Sequence, residues 1–91
     1  MDVEWTSKAL SDLARLHEFL AATNPAAAAR TAQRLAAAPE RLATNPRIGE
    51  RLDEFEPREV RRIVVGDYET RYAIRQQQIY VLRLWHTRED R

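Results

Sequence analysis

Cysteine is absent from the 91 residues, which excludes a disulfide framework, a thiolate nucleophile and any cysteine-type metal site. Histidine occurs only as His17 and His86. They are too far apart in sequence and context to give a metal-ligand spacing, so no metal and no cofactor is expected. No apolar run approaches the roughly 18 residues that a membrane span needs. The opening Met1-Asp2-Val3-Glu4-Trp5 is acidic and too poor in apolar residues for a secretory signal. The expectation is a soluble, cytoplasmic protein, and a chain this short builds one core, hence a single domain over 1–91.

Lysine is nearly missing as well. Of the 15 basic residues only Lys8 is lysine, and the rest are arginine. A GC-rich genome produces such a bias, and so does a guanidinium-rich surface suited to carboxylate or phosphate clamps. The net charge of +1 is unevenly spread: residues 58–91 carry eight arginines against five acids, whereas residues 1–57 carry seven basic and nine acidic groups. That imbalance is too modest to indicate nucleic acid by itself.

What is present falls into two periods. Asp2 to Trp5 alternates polar and apolar, as a short strand does. Thr6-Ser7 then offers N-cap hydroxyls, and Ala9, Leu13, Leu16 and Leu20 form one helical stripe. Asn24-Pro25 ends that helix and starts a second one, with Asn24 as cap and Pro25 at the first helical position. Ala28, Ala32, Leu35, Pro39 and Leu42 continue the helical spacing in an alanine-rich stretch that lets two helices approach closely. Pro39 lacks a backbone donor, so a kink or break is expected near Ala36. Residues 45–59, punctuated by Pro46, Gly49 and Pro57 and rich in acids, read as a solvated loop.

After that loop the period changes to two. Val60–Val65, Tyr68–Arg75 and about Ile79–Thr87 read as strands, with a two-residue turn at Gly66-Asp67 and a second turn between Arg75 and Gln78. The order is β-α-α-β-β-β, an α+β domain with a helical hairpin on one face of a small, mainly antiparallel sheet. The first turn pairs Val65 with Tyr68 and Arg62 with Arg71, which puts Ile63, Val65, Tyr68, Tyr72 and Ile74 against the helices. Arg62, Val64, Glu69, Arg71 and Ala73 fall on the other face. For the last strand, burying an unpaired Arg83 is costly. The expected register therefore turns Val81, Arg83 and Trp85 outward and Tyr80, Leu82, Leu84 and His86 inward, which needs an odd-length loop after Ile74 or Arg75. The result is an uncovered sheet face with Arg62, Arg71, Arg83 and a solvent-facing Trp85, and Glu69 placed to sit between Arg62 and Arg71. An exposed tryptophan beside arginines has the character of a binding hot spot, although a solvated face with one local salt bridge fits the same pattern.

The run Arg62-Ile63-Val64-Val65-Gly66-Asp67-Tyr68-Glu69-Thr70-Arg71-Tyr72, with Tyr80-Val81-Leu82-Arg83-Leu84-Trp85-His86-Thr87-Arg88, resembles the C-terminal core of RelE/ParE toxins. Ser7 to Leu13 and Leu42 to Gly49 are similar to that superfamily too. The resemblance is to its ParE branch above all. It implies a β-α-α-β-β-β fold, a toxin of a type II toxin–antitoxin system, and a cognate antitoxin bound across the toxin surface in a hetero-oligomer. It also implies one of two targets, since ParE-type members poison DNA gyrase and RelE-type members cleave mRNA in the ribosome.

Cleaving RNA through its 2′-hydroxyl needs a proton acceptor, a proton donor and cations for the developing charge. RelE has lysines where Val60 and Arg62 stand, an arginine where Glu69 stands, and a C-terminal tyrosine without a counterpart here. A carboxylate at Glu69 would repel the scissile phosphate. The resemblance therefore favours a gyrase poison without catalytic residues, in which Arg62, Glu69, Arg71, Arg83, Trp85 and Arg88 bind antitoxin or target. An acidic segment with an amphipathic helix would then lay its apolar face in a groove and its acids on Arg62, Arg71 and Arg83. The alternative is an mRNA interferase acting with the ribosome. In it His86 would be the general acid, Arg83 and Arg88 would clamp phosphate, and Asp67 or Glu69 would assist.

Overall fold

The computed structural model describes residues 1–89. In chain order it contains β1 (Asp2–Trp5), α1 (Ser7–Ala21), α2 (Pro25–Ala37), a 3₁₀ turn (Ala38–Ala43), β2 (Glu50–Arg51), a second 3₁₀ turn (Asp53–Phe55), β3 (Glu59–Val65), β4 (Tyr68–Arg75) and β5 (Gln78–His86). The five strands form one sheet in the order β1-β5-β4-β3-β2, antiparallel except for the parallel β1–β5 pair.

The helices begin where side chains satisfy their first orphan amides. Thr6 Oγ1 accepts from the Ala9 N–H at 3.2 Å, and Asn24 Oδ1 from the Ala27 N–H at 3.1 Å. The proline inside the second helical pattern acts where its spacing suggests, close to Ala36: α2 runs to Ala37, and the chain then tightens into the 3₁₀ turn that contains Pro39. Both helices bury one stripe on the same side of the sheet. Ala9, Leu16, Leu35, Val81 and Leu84 make one core cluster, and Leu42, Tyr72 and Ile79 make a second.

The expected loop at 45–59 is more structured than its composition suggests. Glu50 and Arg51 form β2, pairing with Arg62 and Arg61. The following 3₁₀ turn lies over β3, and both Leu52 and Val60 are buried. Tyr72 organises this segment. Its fully buried ring sends the hydroxyl to the Pro46 carbonyl at 2.7 Å, while the same oxygen accepts from the Gly49 N–H at 3.1 Å. Any side chain at Gly49 would lie 2.6 Å from that oxygen and from the Arg62 carbonyl, so only glycine lets the loop approach. Tyr72→Phe is expected to cost about 1–2 kcal/mol, because the buried Gly49 amide and the partly buried Pro46 carbonyl lose their hydrogen bonds. Urea denaturation of the variant checks this, and an unchanged midpoint would contradict it.

The register of β3 on β4 is the expected one, with Val65 opposite Tyr68 and Arg62 opposite Arg71. The register of β5 is not. The β4–β5 connection is a two-residue turn, Gln76-Gln77, with both residues at positive φ, rather than an odd-length loop. A β-bulge absorbs the extra residue instead: Arg71 pairs with Arg83, and Tyr72 then pairs with Val81, leaving Leu82 without a ladder partner. Above the bulge, Leu84 and His86 face the helices while Arg83 and Trp85 face away, as expected. Below it the alternation inverts. Val81 turns inward and is fully buried, and Tyr80, opposite Ala73, turns outward. A bulge changes which face a strand's residues present without changing the turn.

Candidate functional site

The pairing of β3, β4 and β5 aligns three arginines across the sheet, Arg62 opposite Arg71 and Arg71 opposite Arg83, on the face away from the helices. Like charges in neighbouring strands repel, and the chain supplies a carboxylate for each. Glu69, 2% exposed, places Oε1 3.3 Å from Arg62 Nη1 and Oε2 3.3 Å from Arg71 Nη2. This is the bridging place expected for it. Glu50 from β2 meets Arg62 at 2.8 Å. Asp12 from α1 takes Arg83 Nε at 2.8 Å and Nη2 at 3.3 Å.

Asp12 has a second task. The parallel partner β1 ends opposite Val81, so the outer edge of β5 is open beyond that point. Thr6 Oγ1 meets the Val81 carbonyl at 2.8 Å, and Asp12 Oδ2 accepts the Leu84 N–H at 2.9 Å. A side chain thus continues the ladder that β1 leaves unfinished. Burial pushes the Asp12 carboxyl up, but the Arg83 hydrogen bond, the Leu84 amide and the charges of Arg83 and Arg15 outweigh it and hold the group below its ordinary value. The hydrogen bond that Arg83 donates to Asp12 in turn raises the pKa of Arg83.

Trp85 departs from expectation. It is 5% exposed, not solvent-facing. The Arg71 guanidinium lies 4.8 Å and that of Arg83 5.5 Å from its ring centroid, and Arg71 is also 5.2 Å from the ring of Phe55. Stacking guanidinium on aromatic rings is favourable in itself. Here it also lets the 3₁₀ turn Asp53–Phe55 roof part of the sheet face that the periodicity left uncovered. The Arg71 Nε is buried and has no acceptor among the described residues. Asp12, Glu50 and Phe55 were not anticipated. A hint of the first was available in its place between Ala9 and Leu16 on the buried flank of α1, and of the last in a lone aromatic amid acids.

The residues of the alternative catalytic set do not converge. His86 lies on the helix side, its ring edge-on to Tyr68 at 5.2 Å, while Arg83 is on the opposite face and held by Asp12. Arg88 is exposed in the turn after β5, where its backbone N–H donates to His86 Nδ1 at 3.1 Å. Asp67 is an exposed turn residue whose carbonyl accepts the Thr87 N–H. No group of three or more His, Cys, Asp or Glu among the described residues is placed to hold a metal ion, and no helix among them is long and apolar enough to cross a membrane.

The chain has relatives. The protein named Toxin RelE2 of Caulobacter vibrioides is 36% identical over 84 residues, which cover 92% of each chain. A solved structure described as a chromosomal ParDE TA system from P. aeruginosa superposes with a TM-score of 0.80 at 20% identity, covering 94% of this chain and 95% of that one. That likeness shows a shared fold. A family model described as the ParE toxin of the type II toxin–antitoxin system parDE matches residues 3–91. With nearly its whole length matched by that model, the chain belongs to the ParE toxin family of type II toxin–antitoxin systems.

Proposed function

We propose that this toxin acts by protein–protein contact, arresting DNA gyrase in its DNA-cleaved state, and that a cognate antitoxin neutralises it in a hetero-oligomeric complex. The observation that carries this reading is the separation of the candidate nuclease groups. A general acid and the cations that stabilise a phosphorane must reach one reacting phosphate, yet His86 and Arg83 sit on opposite faces of β5. The three aligned guanidiniums already face three carboxylates, so none of them is a vacant phosphate clamp. A binding surface needs neither convergence nor a proton relay. The antitoxin part of the reading draws on the ParDE system in which the similar fold occurs.

The second reading, an mRNA interferase acting with the ribosome, is favoured by the name of the Caulobacter relative. The two separate on His86→Ala. Induction of the toxin without antitoxin is expected to trigger the DNA-damage response with mRNA intact. His86→Ala is expected to keep at least about half of the growth inhibition, since a residue outside an interface core changes binding little. Cuts phased to codons in translated mRNA, abolished by His86→Ala, would overturn the proposal.

A further inference from the structure

The arginine row is neutralised from within, but another part of the same sheet face is not. Below the bulge lies a groove of about 710 Å³ floored by Ala73, Tyr80 and Leu82 and walled by Pro57, with Arg58 and Arg75 at its rim. The bulge creates it. By leaving Leu82 unpaired and turning Tyr80 away from the helices, it moves apolar side chains to the uncovered face. Arg58 and Arg75 are both exposed, and neither makes an ion pair among the described residues. The 3₁₀ turn that shelters Trp85 does not line this end. The acids nearby are Glu59, which also lines the groove but is held by Arg47 and Arg61, and, on the β1 rim, Glu4 opposite Tyr80 and Asp2 opposite Gln78, the partner of Arg75. The cationic side of the groove is the one next to Arg58 and Arg75.

An apolar floor beside two unneutralised guanidiniums matches a segment that is apolar along one stripe and acidic along one flank. We infer that this groove receives an acidic amphipathic segment of the cognate antitoxin, with the segment's carboxylates on Arg58 and Arg75 and not on Arg62, Arg71 and Arg83. The inference rests on the antitoxin reading above and moves its contact to a different part of the sheet. The physical reason is competition. A partner's carboxylate at Arg62 or Arg83 must displace Glu50 or Asp12, whereas at Arg58 and Arg75 there is no ion-paired carboxylate among the described residues to displace.

The test is titration of the purified full-length toxin with the antitoxin encoded beside it, followed by fluorescence anisotropy at two salt concentrations. Arg58→Glu/Arg75→Glu is expected to weaken binding at least 30-fold or so, because close charge reversal at an interface both removes attraction and adds repulsion. The loss should be smaller at high salt. Both side chains are exposed, so the circular dichroism and melting temperature of the variant should match the parent. As a second reading of the same surface, amide exchange at Ala73, Tyr80 and Leu82 should slow when antitoxin is added. Unchanged affinity in the double variant, or protection confined to the Arg62 end of the sheet, would overturn the groove while leaving the antitoxin reading standing. Failure of the unmutated toxin to bind would overturn the antitoxin reading itself. Tighter association of the groove with duplex DNA than with the polypeptide, lost in the double variant, would overturn the choice of occupant.

Discussion

Glu69→Ala is expected to lower the unfolding free energy by about 3 kcal/mol, at the lower end of what breaking a buried ion pair costs because one partner is partly exposed. Glu69 is 2% exposed and bridges Arg62 and Arg71, whose side chains are 36% and 20% exposed. Removing it leaves two guanidiniums side by side on paired strands, the second packed between Trp85 and Phe55. The loss is thus an uncompensated, partly buried charge rather than a missing contact. The diagnostic arm is Arg71→Met in the Glu69→Ala background, which removes that charge while keeping an unbranched stem between the rings. It should recover at least about 1 kcal/mol, because replacing a buried ion pair by well-packed apolar groups is often neutral. Urea denaturation of the three proteins measures both effects. A cost below about 0.5 kcal/mol for Glu69→Ala, within the range of an ordinary surface substitution, would show that the aligned arginines do not need the carboxylate.

Asp12→Ala is expected to cost about 2–4 kcal/mol, because a buried amide and a guanidinium lose one shared acceptor. Asp12→Asn should cost less. Its amide oxygen can still accept the Leu84 N–H, although it no longer carries a charge for Arg83. The difference between the two variants therefore separates edge capping from ion pairing. Acid titration gives an independent check. The folded-state carboxyl of Asp12 is held below its ordinary value of 3.8, so the unfolded chain takes up a proton first as pH falls. Its contribution is fully present above that value and disappears as pH drops through the lower, folded one. The parent should thus lose stability over that window more steeply than Asp12→Asn. Parallel curves would contradict the assignment. Glu59 adds to the same acid slope: burial pushes it up, but hydrogen bonds from Arg61 and Arg47 and their charges hold it low.

Much of the fold was legible because local rules govern it. The caps at Thr6 and Asn24 and the β3–β4 register follow from short-range chemistry, a hydroxyl or amide before a helical stripe and a two-residue turn that leaves one pairing. The bulge at Leu82 does not. Its cause is a competition between burying Val81 and exposing Arg83, and both are achieved only if the ladder slips by one residue partway along β5. A periodicity argument assumes one register for a whole strand, and here it was correct on one side of the slip only. β2 was hidden for a different reason: two residues carry no period, and their position depends on Tyr72 reaching Pro46 and Gly49 from a distant strand.

The candidate site was legible as a set of residues but not as a chemical environment. Arg62, Arg71 and Arg83 do share one face, as alternation and the first hairpin required. What alternation could not supply is what lies on top. Asp12 meets Arg83 across 71 positions of sequence, and Phe55 belongs to a stretch whose acids suggest a solvated loop. Those contacts convert a supposed bare cationic surface with an exposed tryptophan into a neutral, partly roofed one. They also shift attention to Arg58 and Arg75, which make no ion pair among the described residues.

The most direct test of the account is a cleavage-trapping assay with purified DNA gyrase, supercoiled plasmid, ATP and the purified toxin, quenched with detergent and protease. Linear plasmid that accumulates with toxin concentration, equally for the parent and His86→Ala and suppressed by antitoxin, is the predicted result. No trapped DNA at any toxin concentration, together with cleavage of mRNA on translating ribosomes by the same preparation, would contradict it.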